Sequence, residues 1–242
     1  MATEQLSLTR REFLIGTATA GAGFSLGLYL PVAGAAAATA ELPPEVNAWV
    51  VIQPDDTVII RIARSEMGQG TLTGLAQMVA EELECDWSRV TTEYPTPGQN
   101  LARDRVWGSF STGGSQGIRG SHEYVRKGGA VAREMLIEAA AEAWGAAKEE
   151  CSVAASVITH RPSGRTTTYG KVAAAAAELF PPEQVTLKDP KDWKLIGKPV
   201  KRLDTLDKLT GKQVFGTDLK LPGMLNAAVS YTHLRAHETY EG

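Results

Sequence analysis

The chain predicts an α+β protein. Two hairpin signals, two long apolar-faced helices and the lack of a repeating strand–helix–strand rhythm carry that expectation. Trp49-Val50-Val51-Ile52 reads as a short strand, Pro54-Asp55-Asp56 turns it, and Val58, Ile60 and Ile62 alternate along its return over Thr57 to Ala63. A loop Arg64-Ser65-Glu66-Met67-Gly68-Gln69-Gly70 leads into a helix over about Thr71 to Glu84. Leu72, Leu75, Ala76, Val79, Ala80 and Leu83 share one face of it, and Thr71 or Thr73 is the natural N-cap. Val90 to Tyr94 reads as a further strand.

A second small-residue loop, Gly108 to Gly117, precedes a long helix over roughly Ser121 to Trp144. Gly128 and Gly129 interrupt its interior. A helical glycine costs about 1 kcal/mol against alanine, so the pair predicts close approach by another backbone. Val157 to His160 and Arg165 to Thr168 flank a Pro162-Ser163-Gly164 turn, a second hairpin, and 169–179 is a short Ala-rich helix. Residues 181–200 are irregular and rich in Pro and Lys, a candidate domain boundary, with strand-like Val214-Phe215-Gly216 and Leu225 to Val229 beyond.

The first forty residues read as an export signal. Thr9-Arg10-Arg11-Glu12-Phe13-Leu14 is followed by an uncharged stretch up to Glu41, and Ala38-Thr39-Ala40 suits a signal peptidase. Paired arginines and a glycine-diluted apolar region point to the twin-arginine route and a periplasmic location, with attachment to the inner membrane as a further expectation. An uncleaved membrane anchor is the other reading, although a spanning helix wants about 20 predominantly apolar residues. The formal net charge is −3, and nothing offers the basic face that nucleic acid requires. Cys85 and Cys151 stand far apart with no Cys-x-x-Cys, which excludes an iron–sulfur cluster or structural zinc built from cysteines of this chain. Free buried thiols are favoured over a disulfide. His233 and His237 have helical metal-ligand spacing, but the segment 230–242 reads as a non-native tail, and no metal ligand is assigned.

The two glycine loops are the candidate site. A small-residue loop ahead of a helix offers unpaired N–H groups and the positive end of the helix dipole; Ser111, Thr112 and Ser115 add hydroxyls. One such loop is more often a structural cap, whereas two predict a site for an extended, phosphate-bearing anion. The spacing matches neither the P-loop nor the dinucleotide fingerprint.

Glu66-Met67-Gly68-Gln69-Gly70, with Thr73, Gln77 and Ala80-Glu81-Glu82-Leu83, resembles the Gly-Gln-Gly cofactor motif of the xanthine dehydrogenase/aldehyde oxidase family. Thr112-Gly113-Gly114-Ser115, Arg119-Gly120-Ser121 and Ala132-Arg133-Glu134-Met135-Leu136 resemble a later segment of the same proteins. The run from Leu187 through Ile196-Gly197-Lys198-Pro199, Arg202-Leu203-Asp204, Lys208, Phe215-Gly216-Thr217-Asp218 and Leu221-Pro222-Gly223 is similar to the opening of the family's α/β-hammerhead domain. Their order, behind a twin-arginine signal, matches the branch with the isoquinoline 1-oxidoreductase β subunit and membrane-associated aldehyde dehydrogenases.

The resemblance implies a signal at 1–40, a molybdopterin-binding segment at 41–190 and the start of a hammerhead at 191–229. It implies a molybdenum–molybdopterin cofactor in the cytosine dinucleotide form. It further implies hydroxylation of an aldehyde or N-heterocyclic substrate with water-derived oxygen, and a small partner subunit carrying [2Fe–2S] clusters. A cytochrome c subunit is a further candidate partner. It puts Gly68, Gln69 and Gly70 beside the cofactor, with Gln69 donating through its amide, and Gly114, Ser115, Gln116 and Gly117 near the phosphates. Gly117 departs from the serine or similar hydroxyl expected there. The family's glutamate base belongs to a Gly-x-Gly-Glu segment that this chain lacks, so the chain reads as the N-terminal portion of a larger subunit, inactive alone and with no catalytic residue of its own. Glu66 reads as a loop carboxylate pairing with Arg64. A periplasmic module that holds an anionic ligand, or docks a partner subunit, without chemistry is the alternative.

Overall fold

The computed structural model describes residues 44–225. The signal segment, its cleavage site, and the tail with His233 and His237 lie outside them, as does most of the Leu225 to Val229 segment. Among the described residues no helix is long and apolar enough to cross a membrane.

The first sheet has the order β1 (Glu45–Asn47), β2 (Val50–Ile52), β3 (Val58–Arg61), β4 (Val90–Glu93). The expected hairpin is β2–β3, antiparallel with Val50 opposite Ile60 and Ile52 opposite Val58. It closes through Gln53 N–H donating to Thr57 O at 2.9 Å. β4 pairs with β3 in parallel, and between them runs α1 (Thr71–Leu83). The chain thus contains one strand–helix–strand crossover, which sequence periodicity alone did not reveal. All three of Val50, Ile52 and Ile60 are fully buried beneath it.

The long helix is α4 (His122–Trp144), packed along α1. Its two glycines do what their cost predicts. A Cβ at Gly129 would collide with the backbone carbonyl of Val79 on α1, and one at Gly128 would stand 2.7 Å from the Trp49 ring. Asn47 Nδ2 also donates to the Gly128 carbonyl at 2.9 Å. Two short helices flank the second glycine loop, α2 (Pro97–Ala102) upstream of it and the single turn α3 (Gln116–Arg119) where it ends, ahead of α4. The loop therefore does not run straight into the long helix, as its sequence had suggested.

The second sheet is β5 (Cys151–Ala154), β6 (Val157–His160), β7 (Thr166–Thr168), antiparallel throughout. β6–β7 is the predicted hairpin. The β5–β6 turn carries no sequence signal because it is built from Ala155 and Ser156, both in the left-handed region at φ 46° and 64°, where Asn or Gly is the usual mark. Ser156 N–H donates to Glu84 O at 3.0 Å and Tyr169 Oη to Leu83 O at 2.5 Å, which seats this sheet and α5 (Tyr169–Ala177) at the C-terminal end of α1. Cys85 and Cys151 are free thiols, and burial pushes Cys85 up to about 12.

Residues 181–200 are irregular, as expected, apart from a 3-10 turn at Pro190–Asp192, and the stretch 187–204 forms a strap along α1. Two acids on that helix hold it, because a buried carboxylate needs several donors to offset its desolvation. Glu81 accepts from Lys188 Nζ at 2.8 Å and from the N–H groups of Lys194, Leu195 and Ile196 at 2.9, 2.5 and 3.1 Å. Glu82, wholly buried, accepts from Arg126 Nη2 at 2.6 Å and Lys188 N–H at 3.1 Å. Gln77 donates to the carbonyls of Leu195 and Lys198. Beyond the strap comes α6 (Thr205–Leu209). The strand-like Val214-Phe215-Gly216 is instead extended chain entering a 3-10 turn at Gly216–Asp218, where Phe215 N–H bonds Asp218 Oδ2 at 3.0 Å. Among the described residues it has no neighbouring strand to pair with.

Candidate functional site

The Gly-Gln-Gly turn depends on two backbone conformations that only glycine adopts freely, φ +101° at Gly68 and +85° at Gly70. Gly70 is the N-cap of α1, not Thr71 or Thr73. The reason is Glu66. Its Oε1 accepts from the N–H groups of Gly68 at 2.7 Å and Gly70 at 3.0 Å, and its Oε2 from Leu72 N–H at 3.0 Å. A carboxylate of the chain itself thus takes the amides of Gly68 and Gly70 and, within the first turn of the helix, that of Leu72, donors that the sequence offered to an external anion. Thr73 turns away, its Oγ1 accepting from Leu203 N–H of the strap at 3.0 Å.

Glu66 does not pair with Arg64. Its cation is Arg202, whose Nη2 lies 3.0 Å from Oε1 while Nη1 donates to the Gly68 carbonyl at 3.0 Å. Arg202 also grips Asp204 through Nε at 3.0 Å and Nη2 at 2.9 Å, and Lys208 Nζ reaches Asp204 at 2.5 Å. Burial pushes the Glu66 carboxyl up, but the amide donors of Gly70, Leu72 and Gly68, with Arg202, outweigh it and hold the group below the ordinary range. The Arg202 hydrogen bond, against burial and with help from Lys208, lowers Asp204 to about 2. Sequence spacing could not reveal this cluster, since more than 130 residues separate Glu66 from Arg202.

Gln69 closes its own turn. Its Oε1 accepts from Met67 N–H at 2.5 Å and its Nε2 donates to Ser65 O at 2.9 Å, so the amide donor expected to face a cofactor is engaged at Ser65.

The second loop is tied down differently. Arg64 donates to the carbonyls of Ser109 at 2.8 Å and Ser111 at 2.5 Å and to Ser121 Oγ at 3.1 Å. Gly114 and Ser115 both lie in the left-handed region, at φ 64° and 56°. Among the described residues the N–H groups of Gly113, Gly114 and Ser115 have no hydrogen-bond partner. Gly117 is buried against α1, where an added Cβ would sit 3.0 Å from Thr71 Oγ1. That contact explains why glycine replaces the expected hydroxyl residue.

The fold brings the two loops onto one cleft of about 480 Å³, walled by Met67, Gln69 and Thr71 on one side and Thr112 to Ser115 with Gly117 on the other. Gly68, Gly70 and Gln116 stand off its wall. A second cleft of about 570 Å³ opens beside Glu66, Gly68, Tyr94, Asp204 and Lys208. No cluster of three or more His, Cys, Asp or Glu side chains suited to a metal occurs among the described residues.

Residues 2–214 match the molybdopterin cofactor-binding domain family. The chain is 32% identical over 234 residues, 92% of its length, to the membrane-bound aldehyde dehydrogenase [pyrroloquinoline-quinone] of Gluconacetobacter polyoxogenes, covering 29% of that protein. It is 32% identical over 270 residues, 93% of its length, to isoquinoline 1-oxidoreductase subunit beta of Brevundimonas diminuta, covering 34% of that subunit. The chain thus spans about a third of the length of these relatives. Among solved structures, quinoline 2-oxidoreductase from Pseudomonas putida 86 aligns over 52% of the chain at 20% identity, with 15% of that protein covered and a TM-score of 0.35, too slight a likeness to argue from. The match over nearly the whole chain decides its membership: it belongs to the molybdopterin cofactor-binding domain family, as the molybdenum-binding subunit type of the xanthine dehydrogenase/aldehyde oxidase proteins.

Proposed function

We propose that this chain supplies the N-terminal part of a molybdopterin-binding domain in an exported molybdenum hydroxylase acting on aldehydes or N-heterocyclic aromatics with water-derived oxygen. The cleft shared by two glycine loops, in a chain of this family, carries the reading. The cleft's residues suit such a group. The free N–H groups of Gly113, Gly114 and Ser115 are donors for phosphate oxygens, and Gly114 leaves backbone accessible there. No Cβ from Gly68 or Gly70 obstructs an approach to the first turn. When bound, the molybdenum centre supplies the two-electron oxidation and activates oxygen derived from water. This chain's residues bind and orient the group. The donors at 113–115 hold the anionic end, and Met67 and Gln69 wall the opposite side. The catalytic base and the substrate pocket, on this reading, draw on segments beyond those described, and a small [2Fe–2S] subunit is the partner. In this reading residues 191–229 begin the hammerhead domain, and a twin-arginine signal delivers the folded protein to the periplasm. One relative's name carries pyrroloquinoline quinone instead, so the cofactor itself is the first thing to test.

The full-length protein, purified from the periplasmic fraction, should contain molybdenum and a pterin and no quinone. Gly70→Val, which puts a branched residue at φ +85°, should lose most of its molybdenum while staying folded by circular dichroism. Full molybdenum occupancy in that variant refutes the assignment of the turn; quinone without molybdenum refutes the cofactor; absence from the periplasm refutes the export.

A further inference from the structure

We infer that Arg202 is a positioning residue, fixing the Gly68–Gly70 turn from the far side of the sequence so that the turn keeps one shape against the cofactor. This rests on the reading that the turn contacts molybdopterin. The guanidinium holds two parts of one turn at once: the Gly68 carbonyl through Nη1 and the Glu66 carboxylate through Nη2, each at 3.0 Å. Glu66 in turn orders the amides of Gly68, Gly70 and Leu72. Its other ties are local, the two bonds of the Gln69 amide to Met67 and Ser65 and the Glu66 N–H on Tyr94 Oη, and packing adds little. Gly68 and Gly70 carry no side chains, their Cβ positions face open space, and Met67 is 71% exposed. Polar ties must therefore supply the order that packing does not. Asp204 braces the guanidinium from behind through two hydrogen bonds, and Lys208 braces Asp204.

Arg202 does not line the cleft between the loops, so any influence on a ligand there passes through Glu66 and Gly68. Lysine cannot replace it. A single ammonium does not present the planar fork that spans a carbonyl and a carboxylate while a second carboxylate grips its other edge. The strap delivers this group: Glu81 captures residues 194–196, and Leu203 N–H docks on Thr73. The anchors at Glu81 and Thr73 both lie on α1, the helix that the turn initiates.

The test uses the full-length holoprotein as Arg202→Met and Arg202→Lys beside Gly70→Val. In Arg202→Met the amides of Gly68, Gly70 and Leu72 should exchange about tenfold faster, the order expected when charged hydrogen bonds are lost, with α4 amides unchanged. Molybdenum should dissociate about tenfold faster as well, and Arg202→Lys should recover only part of both effects. Unchanged exchange at 66–72, or faster exchange spread equally through α4, overturns the positioning role. If Gly70→Val loses molybdenum and Arg202→Met retains it, the clamp is wrong and the turn's contact stands. If both variants retain molybdenum, the contact itself is wrong, and the role of Arg202 falls with it.

Discussion

The two glycine loops carry the same sequence signature and solve opposite problems. The 66–70 turn opens a helix of 13 residues, long enough for a useful dipole, yet Glu66 already takes the amides of Gly68, Gly70 and Leu72. The 113–115 segment opens a helix of only 4 residues, whose dipole is slight, yet its amides have no hydrogen-bond partner among the described residues. Small residues before a helix therefore mark a place where backbone donors collect. They do not say whether the protein or a ligand will use them. In the first loop the deciding residue is a neighbouring acid, in the second its absence. In the proposed reading the first turn is a shaped surface and the second the anion-binding element.

The sharpest way to break this contrast is to remove the internal anion. Glu66→Ala leaves Gly68, Gly70 and Leu72 without their acceptor and Arg202 with Asp204 as its one carboxylate partner among the described residues. Loss of about 2 kcal/mol in chemical denaturation is expected, from the amides left without an acceptor and one lost contact of Arg202 together. Ser115→Ala, at an exposed position whose hydroxyl makes no recorded bond among the described residues, should stay within about 0.5 kcal/mol of the parent. Equal losses would mean that the loops are held in the same way.

A smaller effect tests whether the loops share a wall. Gly117→Ser restores the hydroxyl residue expected from the family resemblance, but its Cβ would press on Thr71 at 3.0 Å from Oγ1 and 3.3 Å from Cγ2. A cost of about 1 kcal/mol is expected, since the neighbour must shift by only tenths of an ångström. Thr71→Ala should remove most of that cost in a double-mutant cycle. Strict additivity would place the residues out of contact.

Much of this was legible beforehand, for reasons that differ by residue. Alternation at Val58, Ile60 and Ile62 and the apolar face of α1 are local signals, and both elements form within a residue or two of expectation. Gly128 and Gly129 announced a close helix contact because a glycine pair inside a helix is costly without one. The pairing of β3 with β4 was not legible: parallel strands meet only after a helix intervenes, and nothing in either strand names the other. The strap's hold on Glu81 and Glu82 was hidden for a similar reason, although two adjacent acids on an otherwise apolar helix were a hint that donors must come from elsewhere. The error over Arg64 is instructive. Sequence proximity favoured it as the partner of Glu66, but Arg64 reaches the carbonyls of the second loop, leaving the carboxylate to an arginine 136 residues away.

The smallest effect expected is on pH. Titratable pairs hold the first loop, whereas the second is held by Arg64 on two carbonyls and a hydroxyl, none of which titrates in the acid range. The Asp204 carboxyl is depressed from its ordinary 3.8 to about 2, and Glu66 is lowered from 4.5. A carboxyl depressed on folding contributes stability that is complete above its unfolded value. It is lost as protons fill the folded form, here between about pH 4 and pH 2 for Asp204. Because Arg202 and Lys208 are both partly open to solvent, the contribution should be about 1 kcal/mol or less. The measurement compares melting temperatures of the parent and Asp204→Asn across that range. The parent should be the more stable at pH 5, and the difference should shrink to nothing near pH 2. Arg64→Met supplies the contrast, since its deficit against the parent should be the same at pH 5 and at pH 2.5. If the Arg64→Met deficit also collapsed in acid, a carboxylate would have to brace the second loop too. If the Asp204→Asn difference stayed constant, the Arg202 cluster would not be the ionic clamp that separates one loop from the other.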